Sequence, residues 1–259
     1  MSLIELLVVI AISSLLLAMV LPALGGARES ARGVRCASNL RQMAMGWMMY
    51  AGEHGDRAMP LAYWELKDIG SGPQIFWWGS HGTATDPPDH AAGFLAPYLE
   101  STLSASSVYE CPNQPWETYR PQGPSRSITS TYGYNGYYLS PGKTPGWASS
   151  IGHRPWRRIA DVEHPSSLFV FADALLGGFG GGLPMNTALL DPPMLYMGGQ
   201  WRVNDSPTTA FRHRRHAQIA AADGSVQGHR AGALMEGWDA IGSVTVTNSP
   251  GYVPDWRRW

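Results

Sequence analysis

Residues 1–24, MSLIELLVVIAISSLLLAMVLPAL, form a long apolar stretch. Nineteen of these 24 residues are apolar, and Glu5 carries the only ionisable side chain among them. The hydrocarbon core of a bilayer is about 30 Å thick and requires roughly 20 residues of helix, so the stretch is long enough to span it. A cleavable secretory signal fits less well, because it needs a basic start, a shorter apolar run and a small-residue cleavage site.

The helical pattern continues beyond this stretch, with one face made of small and apolar residues. That face contains Gly33, Ala37, Leu40, Ala44, Trp47 and Ala51. Most polar side chains fall on other faces, namely Arg28, Arg32, Arg35, Asn39 and Gln42. The pattern ends near residues 52–55, which predicts a helix of about 50 residues and roughly 75 Å. Pro22, followed by Gly25 and Gly26, predicts a kink or a melted turn between the two halves.

The remaining residues have the composition of a loop-rich β domain. The 259-residue chain contains 30 Gly, 20 Pro, 11 Trp and 11 Tyr. Short apolar runs between turn-forming clusters predict strands at 167–172, 218–222, 225–228 and 243–247. We therefore predict an α+β fold in which a long N-terminal helix packs on an antiparallel β head. Its divisions are an apolar helix at 1–26, an amphipathic continuation at 27–55 and a head domain at 56–259.

The charge balance argues against nucleic acid as a partner. Nineteen Lys and Arg residues are offset by 20 Asp and Glu residues, and the formal net charge is -1. Phosphate binding needs a clustered basic surface, which this balance does not indicate.

Glu5 needs a partner, because a carboxylate within an apolar helix is costly in lipid or in a protein core. One candidate is the α-amino group of Met1 in the same chain. Another is the α-amino group of Met1 in a neighbouring, staggered chain. A third arrangement has the carboxylate reaching the membrane interface, and the sequence leaves the three open.

The segment Ser2 to Ile12, SLIELLVVIAI, closely resembles the mature N-terminus of type IV pilins and type II secretion pseudopilins, FTLIELLVVIAI. The resemblance implies a precursor in the inner membrane whose leader is removed by a prepilin peptidase. The new N-terminal residue, here expected to be Met1, would then be N-methylated. It also implies that Glu5 recruits the subunit through the N-terminal amine of a neighbour, and Pro22 matches a proline common in the family. The expected partners are other copies of the chain in a helical filament and the pilus assembly machinery.

A second motif consists of His213, nine further residues, and Asp223-Gly224. The Asp-Gly pair predicts a tight hairpin turn, and His213 is expected to hydrogen-bond with Asp223 or with the turn backbone. With the pilin-like start, this motif resembles the prepilin-type family that carries a His, nine residues, Asp-Gly signature. The stretches CASNLRQ at 36–42, CP at 111–112 and YGYNG at 132–136 also resemble that family.

The alternative role for this motif is a metal site, since imidazole and carboxylate together can hold a divalent cation. His213, His216, Asp223 and His229 are the residues that could gather there, with His213 and Asp223 as the candidate ligands. Calcium in an acidic loop, as in some major pseudopilins, is a weaker alternative because the sequence has no dense acidic loop. We otherwise expect no cofactor.

Cys36 and Cys111 are the two cysteines of the chain, the right number for one disulfide. The bond would join the helix to the head across a loop of about 75 residues and would be worth roughly 4 kcal/mol. Export from the cytoplasm would permit it. Two separate buried thiols are the alternative.

The sequence favours a non-enzymatic structural subunit of a helical cell-surface filament. It contains neither a His-Glu-x-x-His nor a Gly-x-Ser-x-Gly motif, and we predict no catalytic residues. One alternative is a pseudopilin of a type II secretion system. Another is a membrane-tethered carbohydrate-binding module, in which exposed aromatic rings stack on sugars; its candidates are Trp77, Trp78, Trp116, Trp147 and Trp201.

Overall fold

The chain begins with one long helix, α1, over Leu3–Glu53. The computed structural model describes residues 2–63, 73–80, 88–114, 128–140, 156–178 and 183–258. The 51-residue length of α1 confirms the predicted helix of about 50 residues. The helix is followed by a β-rich remainder of antiparallel sheets, so the predicted α+β class is also confirmed.

The first half of α1 projects away from the head. Residues 2–25 are all exposed, and the most apolar 18-residue window has a mean hydropathy of 2.7 with none of it buried. By length and composition this helix is able to cross a membrane. The helix runs without interruption through Pro22 and Gly25-Gly26, so the predicted melting of this segment is wrong. A bend at Pro22 stays a prediction.

The second half of α1 docks on the head through the predicted small-residue face. Leu40, Ala44, Trp47 and Ala51 are buried, and Gly33 and Ala37 are half-buried. Asn39 differs from the prediction, because it is buried and its Nδ2 donates to the Glu110 carbonyl oxygen at 3.1 Å. A polar side chain with a backbone partner is tolerated in a core, which a face pattern alone does not reveal.

The head is built around a four-stranded antiparallel sheet beneath α1. Its strands are β4 (Tyr132–Tyr134), β5 (Phe169–Asp173), β9 (His216–Ala221) and β10 (Val226–Arg230), in the order β10-β9-β5-β4. The predicted strands at 167–172, 218–222 and 225–228 correspond to β5, β9 and β10. The predicted hairpin turn at Asp223-Gly224 joins β9 to β10, with Gly224 at φ 82°.

Smaller elements surround this sheet. One three-stranded sheet contains β1 (Ala62–Tyr63), β2 (Ile75–Phe76) and β3 (Gly79–Ser80), and a two-stranded sheet pairs β6 (Met194–Met197) with β7 (Gln200–Val203). Another three-stranded sheet has the order β11-β12-β8 and consists of β8 (Thr209–Ala210), β11 (Ala233–Leu234) and β12 (Ile241–Ser243). The short helices are α2 (Ala96–Leu99) and α3 (Gly136–Leu139), and 3-10 turns lie at His90–Ala92, Ile159–Asp161 and Trp256–Arg258.

The strand predicted at 243–247 is largely wrong, because β12 ends at Ser243. The Ser243 hydroxyl donates to the Thr245 carbonyl at 2.8 Å, and the Thr245 hydroxyl donates to the Thr247 carbonyl at 2.6 Å. Such local side-chain bonds compete with a strand ladder.

Buried aromatic side chains hold α1 on the sheet. The Trp47 indole Nε1 donates to the Tyr134 hydroxyl at 3.1 Å, and that hydroxyl donates to the Met59 carbonyl at 2.6 Å. Trp47 and Tyr134 are almost fully buried. The docked half of α1 is therefore part of the head core, whereas the projecting half is outside it.

Candidate functional site

The projecting segment, residues 3–24, begins at a capping box formed by Ser2 and Glu5. The Ser2 backbone N–H donates to Glu5 Oε2 at 2.7 Å, and the Glu5 backbone N–H donates to the Ser2 hydroxyl at 3.3 Å. Each half of this motif satisfies a backbone donor that the first helical turn leaves without a helical partner. Glu5 therefore has a structural role within its own chain.

A second candidate site is a buried cluster of four metal-ligating side chains at the contact between α1 and the central sheet. Its members are Cys36 on α1, Cys111 on the loop after α2, Asp173 at the end of β5, and His213 just before β9. One ligand atom from each side chain lies within 4.8 Å of the others. Both cysteines and Asp173 are fully buried, and His213 is 6% exposed.

The contacts within this cluster link all four side chains. Cys36 Sγ lies 3.5 Å from Asp173 Oδ1, and Cys111 Sγ lies 3.3 Å from His213 Nε2. His213 Nε2 lies 3.5 Å from Asp173 Oδ2. The Tyr132 hydroxyl, on the strand beside β5, donates to Cys36 Sγ at 3.4 Å.

A tight turn places His213. Backbone hydrogen bonds of 3.0 Å in both directions join His213 to His216 around a two-residue loop. Both loop residues, Arg214 and Arg215, have positive φ angles of 51° and 64°. Arg214 Nη2 donates to the Gly26 carbonyl of α1 at 2.9 Å, so this turn also contacts the helix where it reaches the head.

Asp173 is held by donors on both of its oxygens. Arg212 Nη1 lies 3.4 Å from Oδ1, and the Gln218 backbone N–H donates to Oδ2 at 2.9 Å. The Arg212 side chain is only 7% exposed and also donates to the carbonyl oxygens of Thr131 and Ala174. These donors therefore fix the orientation of the Asp173 carboxyl group independently of its contacts with the cysteines.

The outer ring nitrogen of His213 faces polar groups from α1 and the Cys111 loop. Asn113 Nδ2 donates to Glu29 Oε1 at 2.5 Å and lies 3.3 Å from both the Arg212 carbonyl oxygen and His213 Nδ1. Glu29 Oε1 lies 3.9 Å from His213 Nδ1. The amide protons of Asn113 can go to Glu29 and Arg212, which allows Nδ1 to carry the imidazole proton beside the carboxylate.

Burial and mutual contact shift the pKa values of these groups. Burial raises the pKa of Asp173 to about 8, with the Cys111 charge adding to that rise and Arg212 and His213 opposing it. Burial also raises the pKa of Cys36. For Cys111 burial acts in the same direction, but hydrogen bonds from Cys36 and His213 outweigh it and lower the pKa well below the ordinary thiol value.

The predicted partnership between His213 and Asp223 is wrong. The Asp223 Oδ1 atom accepts from the Ser225 backbone N–H at 2.9 Å, at the hairpin turn beyond β9. The strand β9 lies between the two residues, and its five residue-to-residue steps of about 3.3 Å span roughly 16 Å. His213 and Asp223 therefore cannot share a metal ion, and the acidic partner of His213 is Asp173.

The predicted disulfide is not formed in this structure, in which Cys36 and Cys111 are both free and buried. Their sulfur atoms lie within 4.8 Å of each other, so the fold does bring together the two cysteines that the sequence analysis paired. The thiols contact Asp173 and His213 instead of forming a bond.

Three of the five aromatic residues offered for carbohydrate binding lie in the described part of the chain, and none of these three is exposed. Trp77 and Trp78 are buried, and the half-buried Trp201 packs against Tyr196 and Trp256. Trp116 and Trp147 lie outside the described residues, as does Met1.

Sequence reasoning missed Asp173 and Arg212. The signal for Asp173 was an acidic residue ending the apolar strand FVFAD, where a carboxylate is costly without a partner. The signal for Arg212 was its position between the apolar pair Ala210-Phe211 and His213.

We compared the chain with protein-family models, with curated proteins and with solved structures, and found no match in any of the three. Functional conclusions therefore depend on the residues and their geometry.

Proposed function

We propose that the chain is a non-enzymatic structural subunit of a helical, type IV pilin-like filament on the cell surface. The observation that carries this proposal is the division of α1 at about residue 25. Residues 2–25 are exposed on every face of the helix, although most of them are apolar, while the following residues dock on the head. A helix that is apolar all round is stable only in lipid or among other helices.

The projecting segment is too apolar to remain in water. Its large side chains are 42–80% exposed, and burying them is worth on the order of 20 kcal/mol. Lipid and a bundle of like helices bury this surface about equally well, so moving from one to the other costs little. The subunit would first lie in the inner membrane and then enter the filament core. Close helix packing and polar contacts would make the filament core more favourable than lipid for this segment.

Glu5 supplies such a polar contact. Its Oε2 atom accepts from the Ser2 N–H, but an ionised carboxylate has about four acceptor sites in total. The remaining sites can accept from the N-terminal amine of a neighbouring subunit, which would set the stagger between chains. Removal of a leader by a prepilin peptidase would expose that amine at Met1, and N-methylation would follow.

The test is assembly of Glu5→Gln and Glu5→Ala variants in the native host. We expect both to insert in the membrane but to yield few or no filaments in sheared surface material, measured by immunoblot and electron microscopy. Ser2→Ala is the matched control, because it removes the hydroxyl half of the capping box and keeps the carboxylate. Normal filaments from Glu5→Ala would refute the proposed role, and filament length would separate a long pilus from a short periplasmic pseudopilus.

A further inference from the structure

We infer that Cys36, Cys111, Asp173 and His213 form a closed, four-coordinate structural site for Zn²⁺ that fastens α1 to the head. This inference goes beyond filament assembly and does not depend on it. The ligands come from four separate parts of the chain, and one of them lies on the assembly helix. An ion held here would fix the helix to the head at one point.

The distances between the ligand atoms match a tetrahedral zinc site. Bond lengths of about 2.3 Å to sulfur and about 2.0–2.1 Å to nitrogen and oxygen place neighbouring ligand atoms roughly 3.3–3.8 Å apart. With Asp173 Oδ2 as the oxygen ligand, the structure has 3.7 Å between Cys36 Sγ and Asp173 Oδ2, and 3.3 Å between Cys111 Sγ and His213 Nε2. Between His213 Nε2 and Asp173 Oδ2 the distance is 3.5 Å.

The chemistry of the four side chains selects the ion. Two thiolates with one imidazole favour a borderline-soft transition metal over Ca²⁺ or Mg²⁺, which prefer oxygen ligands. Tetrahedral sites with two sulfur ligands are typical of Zn²⁺. The calcium considered from the sequence does not suit this donor set.

The charges of the buried site balance when the ion is bound. Zn²⁺ displaces two protons from the cluster to solvent, which leaves two thiolates, the Asp173 carboxylate and a neutral His213. The divalent ion and the buried Arg212 guanidinium together neutralise these three negative charges. Binding therefore leaves no net charge in a region where an unpaired one would be costly.

The surroundings orient the ligands as metal sites require. A metal-bound histidine usually places its other ring N–H against a carboxylate or carbonyl group. Glu29 Oε1 is a carboxylate oxygen near His213 Nδ1, at 3.9 Å, which is beyond hydrogen-bond distance in this structure. The Gln218 N–H and Arg212 hold Asp173 from outside the cluster. Both sulfurs belong to fully buried residues, so the site is closed to substrate and its role is structural.

The first experiment uses the full chain, purified in detergent under reducing conditions. Elemental mass spectrometry is expected to find one Zn²⁺ per chain. After removal of zinc with a chelator, titration with Co²⁺ is expected to produce the intense visible bands of a tetrahedral ion and a sulfur-to-cobalt charge-transfer band. This spectrum reports thiolate ligation without any substitution, so it is decisive even where a ligand variant does not fold.

Variants then assign the ligands. His213→Ala and Cys111→Ser are expected to lower the bound zinc more than about tenfold. His216→Ala is the matched control, because His216 lies at the other end of the same turn and its Nδ1 atom faces the Arg214 carbonyl oxygen. Glu29→Gln is expected to weaken Co²⁺ affinity about tenfold while the shape of the spectrum is unchanged.

Three results would overturn the inference. One is two titratable thiols per chain with no zinc retained and no cobalt spectrum. Another is a mass lower by two hydrogens with a Cys36–Cys111 cross-linked peptide in protein that was never exposed to oxidant. The third is equal loss of zinc from His213→Ala and His216→Ala.

Discussion

Asp173 Oδ2 lies 3.5 Å from His213 Nε2, although Asp223 is the acidic residue at the fixed spacing from His213 in the sequence. The nine intervening residues consist of the Arg214-Arg215 turn, the six residues of β9, and Ala222. The nine-residue spacing between His213 and Asp223 therefore corresponds to one strand, β9, with a turn at each end. His213 serves the buried cluster at one end of that strand, and Asp223 serves the hairpin at the other.

Asp173→Asn is expected to destabilise the head by about 1–3 kcal/mol, because the two carboxyl oxygens face buried donors, Arg212 and the Gln218 N–H, and an amide NH₂ would leave one of them unpaired. Asp223→Asn is the matched substitution at the position favoured by the sequence, and it is expected to cost no more than about 1 kcal/mol. Urea unfolding of the full chain in detergent, followed by tryptophan fluorescence, measures both. Equal losses from the two variants would contradict the assignment of Asp173 as the partner.

The contribution of Asp223 is expected to vanish in acid. Its hydrogen bonds with Ser225 lower the pKa of Asp223 below its ordinary value, so the ionised form is favoured by folding. The resulting stability is fully present above the unfolded-state pKa and is lost as the pH falls through the folded-state value. Because the group is exposed, we expect about 0.5 kcal/mol. The difference in unfolding free energy between the wild type and Asp223→Ala, measured from pH 6 to acid, checks this; a difference that grows toward acid would refute it.

The parts of the fold that were predictable are those set by local pattern. An apolar run followed by a small-residue stripe specifies one long helix with two different halves, and Asp-Gly between alternating residues specifies the β9-β10 hairpin. The turn at Arg214-Arg215 was not predictable, because two arginines lack the turn chemistry that positive φ angles favour. Tertiary contacts, including the bond from Arg214 to Gly26, hold it in place.

The site was predictable only in part, since it is assembled from long-range contacts. Pairing Cys36 with Cys111 was inferred from their number, and the structure does bring them together. Asp173 was missed because its local signal, an acidic residue that ends the apolar strand FVFAD, does not show whether the carboxyl group enters the core or faces solvent. Its neighbours Cys36 and His213 are 137 and 40 positions away in the chain, a separation that no short motif spans.

Arg215→Gly is expected to stabilise the head by about 1 kcal/mol. Arg215 is exposed and has a φ angle of 64°, a left-handed conformation that glycine adopts without the steric cost borne by other residues. Arg214→Gly is the control, because it relieves a similar angle but also removes the hydrogen bond to Gly26, so its gain should be smaller. Chemical denaturation of both variants measures the difference. A loss of stability in Arg215→Gly would show that its side chain makes a stabilising contact.

A leucine-to-alanine substitution is expected to lower the free energy of unfolding in the docked half of α1 but not in the projecting half. Leu40 is fully buried in the head, so Leu40→Ala should lower the free energy of unfolding by about 2–5 kcal/mol. Leu16 is 59% exposed on the projecting segment, so Leu16→Ala should change that value by no more than about 0.5 kcal/mol.

Filament yield is expected to show the role of Leu16, because its side chain is exposed in the single chain and would be buried only when neighbouring helices surround it. Leu16→Ala should therefore reduce the amount of sheared filament in the native host, with membrane insertion and head stability retained. Immunoblots of the sheared and membrane fractions, beside urea unfolding of the purified chain, give both quantities. Full filament yield together with a destabilised head in Leu16→Ala would mean that the projecting segment packs on its own head, and the division of α1 into an assembly half and a docking half would be wrong.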